Sequence, residues 1–145
     1  MSIRNQVHYQ EYVYDFAISG GAVSTIELSA LDNKSRLPVG SIITSVMAKV
    51  VTACTSGGSA TVSWGNADVD GYSGTAIAVA SLTDNAVFNG WGNAAALIWN
   101  DTQDSPVFYP ITSSAEGAFN IAIATAALTA GKIVFGVTYI MPTVD

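Results

Sequence analysis

A single cysteine, Cys54, excludes an intrachain disulfide and a dithiol redox pair. One histidine, His8, leaves no Cys/His ligand set for zinc, and no serine lies in a G-x-S-x-G elbow, so a nucleophilic triad has no framework. Lysine and arginine total five against eleven acidic residues, a net charge of -6. Binding to a phosphate backbone needs clustered cations. Arg4, Lys34, Arg36, Lys49 and Lys132 are scattered, so nucleic acid is not an expected partner. The glycine-rich "SGGS" lacks the lysine of a P-loop. No apolar run is long enough to span a bilayer, and "MSIRNQVHYQEY" lacks the apolar h-region of a secretory signal, so neither a membrane nor export by that route is expected.

Charged residues make up 11% of the chain where about a quarter is usual. Half the residues are hydrophobic, enough for a core in one domain of 145 residues. A surface so poor in charge insulates weakly against other subunits, which suggests that partners cover some of it.

Alternation of period two dominates what is there. In residues 9–18 Tyr12, Tyr14, Phe16 and Ile18 alternate with polar positions, which predicts a half-buried strand. Gly20 and Gly21 turn the chain into a second strand through Val23, Ile26 and Leu28. Residues 41–53, "SIITSVMAKVVTA", read as a central strand buried on both faces, forming a hairpin with "SATVSWG" across Gly57 and Gly58. Residues 74–90 predict a short helix or loop insertion. Strand patterns return at 95–100, 107–112, 117–125 and 132–141, with "AALTAG" as a turn. The expected fold is all-β: a jelly-roll-like antiparallel β-sandwich of about eight strands. Residues 1–10 are expected to form an N-terminal arm and 11–145 a single sandwich domain.

Candidate sites are few. Asn66, Asp68, Asp70 and Gly71 match the start of a calcium loop, but position twelve, where a bidentate Glu is required, is Ile77. Strand-like "SATVSW" also stands where the entering helix should be, so the segment reads as a turn that orients Tyr72. Cys54 reads as a buried, inert thiol. The carboxylates Asp68, Asp70, Asp84, Asp101, Asp104 and Glu116 lie mostly in connections, where solvated turn residues explain them without glycosidase chemistry. Trp64, Trp91 and Trp99 suit either a sugar-stacking platform or a core and interface role, with Trp91 the most exposed by expectation. No catalytic residue, metal or cofactor is expected.

The segments "AISGGAVSTIELSAL", "LPVGSIITSVMAKVVTACTSGGSATVSWGNADVDGY", "TAIAVASL" and "AALTAGKIVFGVTYI" cover most of residues 17–140. In order and pattern the chain resembles tailed-bacteriophage capsid decoration, or cement, proteins, which stabilise the head. The resemblance implies a non-enzymatic virion protein made in the bacterial host cytoplasm. It would bind the outer capsid surface as a homotrimer and clamp neighbouring major capsid subunits. The arm and "VFNGWGNAAALIWNDTQDSP" depart from the pattern. Ile3, Arg4, Val7, His8, Tyr9 and Trp91 are the expected partner-binding residues, the first five because the arm mixes apolar and cationic groups without a pattern of its own. A carbohydrate-binding module and a tail- or fibre-associated structural protein are the alternatives.

Overall fold

The computed structural model describes residues 7–28, 36–66, 72–73, 75–89 and 109–141. Nine strands run through them: β1 (Val7–Asp15), β2 (Ser24–Glu27), β3 (Ile42–Ser56), β4 (Thr61–Gly65), β5 (Ile77–Ala78), β6 (Val87–Asn89), β7 (Tyr109–Pro110), β8 (Asn120–Ala124) and β9 (Leu128–Ile140). Sheet A has the order β1-β9-β3-β6, with β7 also pairing β3, and sheet B the order β2-β8-β4-β5. Every pairing is antiparallel.

Setting aside the short β7, the pairing has a simple logic. First pairs with last (β1 with β9), then β2 with β8, β3 with β6, and β4 with β5. That is one long antiparallel hairpin, rolled so that β9 also meets β3 and β8 also meets β4. The result is a jelly roll, the all-β sandwich expected from the period-two pattern.

Alternation fills the space between the sheets. From sheet A, Tyr12, Tyr14, Ile43, Val46, Ala48, Val50, Ile133, Phe135 and Val137 point inward; from sheet B, Val62, Trp64, Ile77, Ile121 and Ile123 meet them. Aromatic rings bridge the layers. Phe119 lies 5.0 Å from Tyr12 and 4.9 Å from Phe135, and Trp64 stands 5.3 Å from Phe135 and 5.8 Å from Phe88, edge-on to the latter. Each such contact adds about 0.5–1.5 kcal/mol to what burial of the rings supplies.

Four local expectations change. The first strand ends at Asp15, not residue 18, because the Asp15 carboxylate accepts from Ala17 N at 3.0 Å and starts a single helical turn, α1 (Phe16–Ser19). Gly20 closes that turn at φ 72, a conformation glycine adopts without steric cost. β3 and β4 are not a hairpin, for each lies in a different sheet and the chain crosses the sandwich between them. "LTAG" belongs to β9, the turn falling earlier at Thr125, whose φ is 72. Finally, β3 is central in its sheet but buried on one face only, with Met47, Lys49 and Val51 exposed on the other. In the 74–90 region a single 3-10 turn (Val79–Ser81) separates β5 from β6.

Candidate functional site

The register of sheet A fixes which residues share its outer face. Val7 pairs with Ile140 and Ile140 with Ile42; Tyr9 with Thr138 and Ser45; Glu11 with Gly136 and Met47; Val13 with Val134, Lys49 and Val87; Asp15 with Lys132 and Thr52. Four of these five rows carry apolar side chains into solvent: Val7 is 69% exposed, Tyr9 56%, Val87 49% and Met47 43%, and Val51, at the register shift beside Thr52, is exposed too. The outer face of sheet B is built differently. Thr25, Glu27, Thr61, Ser63, Ala78, Asn120, Ala122 and Ala124 occupy it, all small or polar. Water accounts for the second composition at Thr25, Ala78 and Ala124, which are exposed, while Ser63 is buried. Exposed apolar side chains gathered on one sheet face, among charged and polar ones, are the composition of an interaction surface.

Tyr9 is held flat on this face. Gly136 leaves room beneath it, since a Cβ there would stand 2.5 Å from the Tyr9 hydroxyl oxygen. The hydroxyl donates to Glu11 Oε2 at 2.9 Å, and burial, then that carboxylate, raise the phenol's pKa. A ring covering a cross-strand glycine restores the packing that the missing side chain leaves out. The face also carries two cations and two carboxylates. Lys132 and Asp15 pair at 4.0 Å, whereas Glu11 and Lys49 join no ion pair among the described residues.

The expected partner-binding residues separate on inspection. Val7 and Tyr9 lie in β1 with their side chains on the outer face. His8 points the other way: its ring stacks on Tyr139 at 5.2 Å, and Nε2 is buried without a hydrogen-bond partner among the described residues. Ile3, Arg4 and Trp91 lie outside the described residues. Strand pairing begins at Val7, four residues ahead of the boundary expected at residue 11. Ile42, Met47, Val87 and Ile140 belong to the exposed face and were not anticipated. The signal for them is Lys49, a charge in the middle of an apolar strand and in phase with Met47 and Val51.

The remaining candidates are parts of the scaffold. Trp64 is 3% exposed in the core, which removes it from any sugar platform; Trp99 lies outside the described residues. Asn66 is buried, its side-chain Nδ2 donating to the Glu116 backbone carbonyl at 3.3 Å and its backbone carbonyl accepting from Asn120 Nδ2 at 2.8 Å, while Asp68, Asp70 and Gly71 are outside the described residues. Tyr72 is in the core against Phe119, and Ile77 is buried in β5. Asp84 accepts from Ala53 N at 2.6 Å, and Glu116 accepts from Thr112 N and Oγ1, each at 2.9 Å. Asp101 and Asp104 lie outside the described residues. Burial pushes the Cys54 thiol up to about 11, so it is protonated at neutral pH and a poor nucleophile. Among the described residues no three His, Cys, Asp or Glu side chains group as metal ligands, and no helix is long and apolar enough to cross a membrane.

No family model matches the chain, and no curated protein matches it. A chain of the cyanophage Pam1 capsid asymmetric unit is similar in structure, with a TM-score of 0.61 at 20% identity over 98% of this chain and 89% of that one. A chain of the acidic stable capsid of Helicobacter pylori bacteriophage KHP30 is similar at a TM-score of 0.46 and 17% identity, over 96% and 90% of the two chains. The likeness to the Pam1 capsid chain extends over nearly the whole molecule and shows a shared fold.

Proposed function

We propose that this chain is a structural protein of a bacteriophage virion, a decoration or cement protein. In this reading it binds the outer surface of the capsid as a homotrimer and clamps neighbouring major capsid subunits. The observation that carries it is the end-to-end structural likeness to a phage capsid chain of nearly the same extent. The surface fits the role: one sheet face exposes apolar side chains, the other is small and polar, and the described carboxylates other than Glu11 are occupied in turns and ion pairs. A clamp gains its strength from many modest contacts across an area and needs no pKa-tuned group.

Residues 1–6, ahead of β1, complete the proposal as an arm that adds to the capsid subunit's own sheet. The deciding experiment is co-sedimentation with expanded, undecorated head shells. Saturable binding with a fixed stoichiometry per capsomer is expected, and retention on polysaccharide without binding to shells would refute the reading.

A further inference from the structure

The Glu11 and Lys49 side chains are the two charges on the outer face of sheet A that join no ion pair in the described part of their own molecule, Glu11 accepting only the neutral Tyr9 hydroxyl. They do not pair with each other either. Two strands apart and one row along, their Cα atoms are separated by about 12 Å. Their placement is polar across the sheet: Glu11 on the edge strand β1, Lys49 on β3 beside the other edge strand, β6. Between and around them lie Val7, Tyr9, Met47 and Val87.

We infer that this face joins copies of the chain to one another: the β1 edge of one copy, carrying Glu11, packs on the β3–β6 side of the next, where Lys49 lies. The inference takes the oligomer of the reading above and assigns its contact. Three observations select a second copy as the occupant. The molecule carries a net charge of -6, so copies repel except where charge is balanced, and on this face two cations offset two carboxylates. Opposite charges at opposite edges are complementary head to tail, the arrangement that closes a ring when the rotation allows. The extent is of the same order. β1, β9 and β3 pair along the nine residues of β1, and the three-residue β6 widens one end, a face of roughly 15 Å by 30 Å, within about a factor of two of the ~800 Å² that a standard interface covers on each partner. An apolar centre with a charged rim is the usual anatomy of such a contact.

The test is the mass of the isolated protein by light scattering and sedimentation velocity. Wild type is expected as a trimer at micromolar concentration. Glu11→Lys and Lys49→Glu should each weaken association at least tenfold, and combining the two should restore most of it, because the charges exchange places. Met47→Asp, which places an unpaired charge in the apolar centre, should also release monomers, while Thr25→Lys on the outer face of sheet B leaves the mass unchanged. Circular dichroism and melting on each variant separate lost association from lost folding. A monomeric wild type, single reversals that keep the wild-type mass, or reversals that the combined variant does not rescue would each overturn the inference. Shell binding is read separately: correct association with no binding to shells leaves this contact standing and removes the capsid reading.

Discussion

At Gly131 two constraints meet in one residue. Its φ is 144, a backbone geometry that side chains other than glycine's rarely permit, and a Cβ there would stand 2.5 Å from Cys54 Sγ. Gly131→Ala is therefore expected to cost about 2–4 kcal/mol by strain and overpacking. Chemical denaturation should show part of that cost disappearing in a Cys54→Ala background, where the sulfur is gone and the strain is not. The buried phenols make a second prediction. Burial above all pushes Tyr12 and Tyr14 up to about 12 from an ordinary 10.0, and Cys54 to about 11 from 9.0. All three hold their protons more tightly folded than unfolded. The stability they contribute is whole below pH 9, begins to drain as the pH rises past 9 and then 10, and is gone near 12. Tyrosinate absorbance and circular dichroism followed together should therefore change in one cooperative alkaline transition. Phenols that titrate at ordinary values in a folded protein would contradict the burial of both rings.

Among the elements, β3 has the most to manage. Its fifteen residues run beside β9 through register shifts near Ser45, Thr52 and Thr55, and each shift breaks the ladder locally. The turn after the 3-10 segment takes up part of that edge: Cys54 N donates to Leu82 O, Val50 N to Ala86 O, and Ala53 N to the Asp84 carboxylate. Asn85, at φ 67, lets this turn fold back onto β3. Asp84→Ala strands the Ala53 amide and should cost about 1 kcal/mol, read from urea unfolding. Arg36 ties other elements together, reaching Glu27 on β2 at 2.6 Å and Ser114 at 3.4 Å. Because the pair is partly exposed, Arg36→Ala should cost no more than about 1 kcal/mol, and less in high salt. Removing residues 1–6 leaves every pair of β1 in place. Melting should be unchanged by that truncation while shell binding falls.

Element by element, legibility in the sequence followed locality. β8 was readable because Ile121 and Ile123 alternate with Asn120, Ala122 and Ala124 within one strand. The supposed β3–β4 hairpin failed because glycines between two strands report a change of direction and not a choice of partner. Gly131 passed for a turn residue when it serves a close contact inside β9. The double-faced burial assigned to β3 failed for another reason. An apolar residue records that its surroundings are dry, without recording whether its own chain or a neighbour dries them. Lys49 was the one mark in that run that the outer face stays accessible in the single chain. Of the expected partner residues, Val7 and Tyr9 were legible as apolar side chains without a core, whereas His8 turns inward by the same two-residue period that exposes them.

For the whole molecule, the jelly roll puts both ends of the described chain at one corner. Val7, where β1 begins, is the cross-strand partner of Ile140, where β9 ends. A load applied through the two ends would therefore enter at a single ladder rung and open β1 from β9 bond by bond, as a zipper opens. A load spread over the face of sheet A would instead meet whole strands together, resisted in shear by several ladders at once. The same molecule is thus weak when pulled by the two ends of its described chain and strong when loaded across its sheets.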